Sequence, residues 1–337
     1  MHMGKFLESE KHHQTKFKAN SPYFSEEARA YGMYKGKLRP FCLPLDCAEE
    51  NLFPEIRQAV LTYFASYGIK WHDGLNGKPS NHLCDSQVCC VNFLFPFAQK
   101  PRVLAEILRP IFPSLRKMLP VENEQYIAFE WIGLENYLGE RISRNGKRTR
   151  GANFTSADAT VMFERSDGKR QMVLIEWKYT ESYGSVLLKV AASGTDRTEI
   201  YKPFYLQNDC PLKKDLLPSF NSLFYEPFYQ LMRQQFLAHE MEKAKELGAD
   251  AVSVLHIAPA QNTDFHRITS PELLKLGETA IDVWTRLVRI EDRFISISTE
   301  SLFSSLFAKQ LPEIQEWSDY VSKRYAWVQA GSVDYSR

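Results

Sequence analysis

No stretch of this 337-residue chain approaches the roughly 18 to 20 consecutive apolar residues of a membrane-spanning helix. A membrane partner is therefore not expected. Met1 to Asn20 is rich in Lys and His and lacks an apolar run, so it does not read as a signal peptide and the protein is expected in the cytoplasm. No glycine-rich loop precedes a helix in the manner of a phosphate cradle, which argues against an ATP-driven motor within the chain. Any such partner would be a separate chain. Charge of one sign is also missing: 42 Lys and Arg face 41 Asp and Glu, a formal net charge of +1. Attraction to nucleic acid would then have to come from a local patch and not from the field of the whole protein. Internal repeats and low-complexity tracts are absent.

The apolar fraction of 44% and the aromatic fraction of 13% suffice for a core and exclude global disorder. At about 100 to 200 residues per domain, the length permits one large domain or two. Six cysteines do not make a disulfide framework in a chain this long and read as reduced, mostly buried thiols. The pairs Cys42/Cys47 and Cys84/Cys89, with His72 or His82, invite a zinc reading, but Cys89 and Cys90 lie in an apolar run where packing is the simpler role.

Along the chain, residues 1–50 are polar and broken by Pro22, Pro40 and Pro44, which predicts an extended N-terminal arm with one short helix near Ser25 to Tyr31. Residues 51–120 read as helical: Leu52 to Tyr67, a helix capped at Asp85 or Ser86 and running to about Phe95, and one or two helices over Val103 to Leu119. After Pro120 the pattern becomes strand-like, with runs at Gln125 to Ile132, Ala157 to Glu164, Met172 onward and Ala251 to Ala258. A long helix over Asn221 to Leu247, closed by Gly248, separates the third run from the fourth. The closing residues 263–337 read as a helical extension with a short strand near Arg293 to Ser298.

Two segments carry the chemistry: Ser156-Ala157-Asp158-Ala159-Thr160 and Leu174-Ile175-Glu176-Trp177-Lys178. Side chains two apart on a strand share a face, so Glu176 and Lys178 point the same way from an otherwise apolar run. A carboxylate and an ammonium there are costly unless each has a partner or a task. The turn Ser166-Asp167-Gly168-Lys169 closes the two runs into a hairpin and lets Asp158 join them. The alternative is a strand with one edge in water and a weak exposed ion pair. Two carboxylates and a lysine suit metal-dependent phosphodiester hydrolysis, because oxygen ligands hold Mg2+ with waters completing the shell.

An Asp, a hairpin spacer, then Glu-x-Lys resembles the PD-(D/E)xK nuclease superfamily, with Ala157 where the motif's name has Pro. The resemblance covers roughly Gln125 to Ala260 and makes 121–262 the nuclease core: an α/β restriction-endonuclease-like fold, a central mixed β-sheet flanked by helices, with extra helices at both ends. It implies that Asp158, Glu176 and the Trp177 backbone carbonyl hold Mg2+ or Mn2+ and that Lys178 positions the attacking water. It also makes Gln230 a candidate, as the helix glutamine that follows the Glu-x-Lys motif in several nuclease families, although Gln234 stands where that pattern has Tyr. Gln87, on the early helix, is a weaker candidate.

Glu130, on the first strand, is either a third site carboxylate or part of a structural ion pair. Between it and Asp158 lies Arg141 to Arg150, with five basic residues and no acidic one. Arg144, Lys147, Arg148 and Arg150 are candidate contacts to a DNA backbone; the bland alternative is a solvated loop. His256 reads as a buried, satisfied side chain. The expected activity is a Mg2+-dependent endodeoxyribonuclease, with DNA as partner and a homodimer as a possible state. An RNA-directed nuclease, or a binding module whose carboxylates are structural, remain alternatives.

Overall fold

The β-hairpin at the centre of the molecule forms for reasons visible in its own turn. The computed structural model describes residues 4–140, 146–152, 154–309 and 311–329. In chain order its helices are α1 (Lys5–Asn20), α2 (Arg57–Ser66), α3 (Ser86–Leu94), α4 (Pro101–Leu108), α5 (Thr198–Leu206), α6 (Phe228–Ala244), α7 (Ala280–Leu287), α8 (Thr299–Lys309) and α9 (Gln315–Arg324). The strands are β1 (Gly32–Tyr34), β2 (Lys37–Arg39), β3 (Leu115–Leu119), β4 (Ile127–Trp131), β5 (Ala157–Arg165), β6 (Arg170–Trp177), β7 (Ala251–Ala258) and β8 (Phe294–Ser298). Between β5 and β6, Asp167 accepts from the Lys169 N–H at 3.1 Å and Gly168 takes φ +81°, a conformation that favours glycine.

β1 and β2 form a small ribbon of their own. The main sheet has the order β3-β5-β6-β7-β8, with β4 also pairing β5. The pairs of β5 with β3, β4 and β6 are antiparallel, whereas β6-β7 and β7-β8 are parallel. Alternation along the strands divides the core in two. Ala159, Val161, Val173, Ile175 and Trp177 face one cluster, shared with residues of α1 to α4, α8 and α9. Met162, Met172, Leu174, Val252 and Val254 face the other, filled by α5, α6 and α7. Helices on both faces of a mixed sheet give the restriction-endonuclease-like α/β architecture. Among the described residues, no helix is long and apolar enough to cross a membrane.

Three assignments from sequence need correction. Residues 5–20 form a helix and not an extended arm, and the short helix expected near Ser25 to Tyr31 is a single 3-10 turn at Glu27–Arg29. The buried stripe of α1 is Phe6, Glu10, Gln14, Phe17 and Lys18, so the periodicity is helical while most of the residues carrying it are polar. Beyond α4, residues 115–119 are a strand, because Pro110 and Pro113 stop the helix and Met118 and Leu119 pair with Phe163 and Met162. The sheet also exceeds the segment 121–262, since β3 and β8 lie outside it and pair directly with β5 and β7. Five of the six cysteines are buried and Cys47 is half-buried, all as free thiols.

The terminal helices lock onto the strand that carries Glu-x-Lys. The Tyr179 hydroxyl donates to Glu10 at 2.5 Å and accepts from Gln14 at 3.2 Å, and Trp327 donates to the same Glu10 carboxylate at 3.2 Å. Gln14 also donates to the Arg324 carbonyl at 2.8 Å, and the His13 ring meets the Lys323 and Arg324 carbonyls at 3.2 and 3.1 Å. Arg324, 0% exposed, serves Asn51, Tyr320 and the Leu83 carbonyl with its two terminal nitrogens. Arg324→Ala would strand these buried acceptors together and is expected to cost about 3 kcal/mol or more. Urea unfolding at neutral pH checks it, with Arg324→Lys recovering only part because an ammonium lacks the guanidinium fork.

Candidate active site

The sheet register brings the candidate residues into one transverse row. Ala159 pairs with Ile175 across the hairpin, so Asp158 falls opposite Glu176. Parallel pairing then sets Glu176 beside His256, and His256 beside Ser296. On the other side, Phe129 pairs with Ala159 and Trp131 with Ala157, which puts Glu130 opposite Asp158. Met172, Leu174 and Glu176 share a face, and that face packs against α6. An apolar surface thus becomes polar at one row, near the end of the strands.

The contacts there are short and specific. Lys178 Nζ lies 2.6 Å from Glu176 Oε1, with the two residues only 5% and 2% exposed. That rules out the weak exposed pair: surface pairs contribute about 0–1 kcal/mol, whereas desolvating buried ions costs several kcal/mol each. Gln234 Nε2, from α6, donates to Glu176 Oε2 at 2.7 Å and to the Ser156 carbonyl at 2.5 Å. Asp158 Oδ2 accepts from the Trp177 N–H at 2.7 Å. Glu130 accepts from Gln87 Nε2 at 2.6 Å and from the Ser156 hydroxyl at 2.8 Å. It does so from φ +51°, outside regular strand geometry. The Ser86 hydroxyl, at the start of α3, lies 3.4 Å from the Trp177 carbonyl.

Burial, followed by the charge on Glu176, pushes the Asp158 carboxyl well above the ordinary range, against the pull of Lys178. Burial also raises Glu130, although its hydrogen bonds from Gln87 and Ser156 oppose the shift. For Lys178, burial is the largest single influence and works against the charge, but Glu176, Tyr183, Glu181 and Asp158 together outweigh it and the ammonium is held well above its usual range. His256, fully buried and near Lys178, is pushed down to about 3 and is neutral; its Nδ1 meets the Ser296 hydroxyl at 3.0 Å. Its Nε2 is buried without a hydrogen-bond partner among the described residues, so this histidine is only half satisfied.

Asp158 and Glu176 therefore share one lysine, with Glu130 opposite Asp158 in the next strand. A polar cavity of about 110 Å3 opens on Asp158 and Glu176, walled also by Ser156, Gln230, Arg233 and Gln234. Among the described residues, no three His, Cys, Asp or Glu side chains group as ligands of one metal ion. The donors that line the cavity are the carboxylates of Asp158 and Glu176, an oxygen set that fits Mg2+ or Mn2+ with water completing the shell, not zinc; the Trp177 carbonyl is not part of the lining. A larger cleft of about 760 Å3, between α2 and residues 95–100, holds none of these groups.

Other sequence candidates fall differently. Gln230 lines the cavity but contacts Tyr183 at 3.4 Å, and Gln234, one turn later on the same face of α6, is the glutamine that holds Glu176. Arg148 donates to the carbonyls of Ile132, Gly133 and Leu134. Arg150 is buried and ion-paired to Glu122 at 2.6 Å, with further bonds to Tyr63 and the Phe129 carbonyl. Both guanidiniums thus hold the backbone around β4 and are not turned toward a phosphate. Lys147 is exposed, and Arg144 lies outside the described residues. Arg233, Gln234 and Ser156 were missed from sequence. Their signals were spacing alone: Gln234 stands four residues beyond Gln230, Arg233 one before Gln234, and Ser156 two before Asp158.

A raised carboxyl pKa makes the folded state bind the proton more tightly than the unfolded chain does, so stability is lost as pH rises from about 4 through the folded value. Asp158→Asn keeps an acceptor for the Trp177 N–H and removes the charge. In EDTA it is expected to melt higher than wild type at pH 7, with the gap closing toward pH 4. Thermal melts across that range check it; a lower melting temperature at pH 7 would contradict the electrostatic account.

No curated protein and no solved structure matches the chain at a significant level. Residues 10–326 match the family model described as Restriction Endonuclease associating with ARP. That match runs from within α1 past α9, so the terminal helices are part of the family's fold along with the sheet. With the mixed sheet, the hairpin and the Glu-x-Lys strand in place, the chain belongs to this restriction-endonuclease-like family, and its role is nuclease-like.

Proposed function

We propose that this protein hydrolyses phosphodiester bonds in DNA with Mg2+ or Mn2+ at the cavity beside Asp158, Glu176 and Lys178. The observation that carries this reading is the convergence of Asp158 and Glu176 on one polar cavity, with Lys178 bound to Glu176 at 2.6 Å beside it. Asp158 and Glu176, with the Trp177 carbonyl, would hold the cation, and their mutual repulsion without it is the energetic reason for binding. When bound, the cation supplies a water of lowered pKa and neutralises charge on the phosphate.

The chain's own residues do the positioning. The Trp177 N–H fixes one Asp158 oxygen, and Gln234 fixes one Glu176 oxygen, so each carboxylate is oriented before a ligand arrives. Lys178 is held in its charged form by Glu176 together with Tyr183, Glu181 and Asp158, which suits a donor and not a general base. Its ammonium would orient the attacking water and stabilise the negative charge that grows on the phosphate in the transition state. DNA as substrate agrees with the family's description as a restriction endonuclease.

Asp158→Asn and Glu176→Gln are expected to abolish cleavage and weaken Mg2+ binding in calorimetry. Lys178→Met should lower single-turnover cleavage about 100-fold or more while Mg2+ affinity stays equal or rises slightly. The assay compares plasmid, linear and single-stranded DNA with matched RNA. Wild-type turnover in the Lys178 variant would remove that lysine from the mechanism. Absence of cleavage together with absence of Mg2+ binding in wild type would defeat the whole reading.

A further inference from the structure

Arg233 sits on α6 beside Gln234 and lines the same cavity as Asp158, Glu176 and Ser156. Its Nε donates to the Thr155 hydroxyl at 2.8 Å, and its guanidinium lies over the Tyr229 ring, 5.3 Å from the centroid. Nη2 is 3.5 Å from Glu140 Oε1, and Nη1 has no protein partner among the described residues.

That unfinished bonding is unusual for an arginine held in place. Arg150, which serves a structural end, spends Nε and both terminal nitrogens on protein acceptors. Glu140 does not need Arg233 either. Its carboxylate already accepts from the Thr155 N–H at 2.7 Å, the Thr155 hydroxyl at 2.6 Å and the Tyr201 hydroxyl at 2.8 Å. The same Thr155 that Glu140 holds is the one that receives Arg233 Nε, so the carboxylate orients the guanidinium through the threonine. The nearby ammonium of Lys178 does not line the cavity and is bound to Glu176 at 2.6 Å, which leaves Arg233 as the cationic side chain of the wall. A guanidinium stays charged at any accessible pH and offers a planar fork that matches phosphate oxygens.

We propose that Arg233 is the phosphate-binding residue of this site. It donates from its free edge to a non-bridging oxygen of the phosphodiester placed at the cavity, and Thr155 and Glu140 act as positioning residues behind it. This rests on the nuclease reading for the identity of the ligand, but the contact is one of binding and makes or breaks no covalent bond.

The test uses the full-length protein as wild type, Arg233→Gln and Arg233→Lys. Duplex DNA binding is measured with Ca2+ in place of Mg2+ over a salt series, alongside Mg2+ calorimetry and single-turnover cleavage. Arg233→Gln is expected to weaken DNA binding about 10-fold or more and to reduce the salt-dependence slope by about one, with Mg2+ affinity unchanged. Arg233→Lys should restore the slope and recover only part of the affinity. A folded Arg233→Gln variant with wild-type affinity and slope overturns the proposal, as does a loss confined to melting temperature. Should the glutamine variant not fold, Arg233→Lys decides: wild-type affinity there overturns the proposal, and a several-fold loss at unchanged slope supports it. Cleavage by wild type without dependence on Arg233 defeats this inference alone. DNA binding that depends on Arg233, with no cleavage under any metal, defeats the nuclease reading and leaves the phosphate contact standing.

Discussion

Carboxylates at the edge of a dry sheet, with too little positive charge beside them, are the constraint around which the rest of this molecule is arranged. Asp158, Glu176 and Glu130 lie in one row where the α6-facing surface stops being apolar, and Lys178 neutralises only one of them directly. Unpaired buried carboxylates are costly, and the protein answers with hydrogen-bond donors that cannot move far: the Trp177 N–H, Gln234 and Gln87. These donors hold the oxygens without cancelling their charge. The site stays short of positive charge by design of the fold, and a divalent cation is the species whose charge and ligand preference fit the deficit.

Precision in such a site depends on what stands behind it. β6 is central in the sheet, flanked by β5 and β7, so Glu176 cannot shift without breaking two ladders. Just past Lys178, Tyr179 is gripped by Glu10 and Gln14 of α1, with Trp327 closing from the far end of the chain. On the opposite face, α6 supplies Gln234 and Arg233 from adjacent positions, and Glu140 with Thr155 steadies the latter. Elements far apart in sequence therefore meet around the strand that carries Glu176 and the adjoining Lys178. The family match over residues 10–326 agrees with this, because the terminal helices are as much a part of the site's support as the sheet.

The hairpin, the Glu-x-Lys strand, β7 and most of α6 were legible from period-2 and period-3.6 patterns and from Gly168 at the turn. α1 was not, because Glu10, Gln14 and Lys18 fill its inward stripe and polar residues hide a helix from any hydrophobic measure. β3 reads as helix because Leu115-Arg116-Lys117-Met118-Leu119 is too short to set a period of its own and follows directly on a helical pattern. The basic segment misled in the opposite direction. A run of arginines reads as a surface patch, yet Arg148 and Arg150 turn inward to carbonyls and to Glu122, partners that only the path of β4 brings near.

By itself the sequence determined the chemistry on offer: which strand carries Glu176 and Lys178, that they share a face, and that Asp158 returns to them across a tight turn. Those relations are local, set by backbone periodicity and one glycine. Tertiary structure alone decided which of several glutamines meets Glu176, that Glu130 is tied to Ser156 and Gln87, and that Arg233, and neither Arg148 nor Arg150, lines the cavity. Helix α6 begins 50 residues after Lys178 by way of loops and α5, and its rotation against the sheet is set by packing of Phe228, Met232 and Phe236 into the core. No local pattern encodes that rotation, and one turn of it exchanges Gln230 for Gln234.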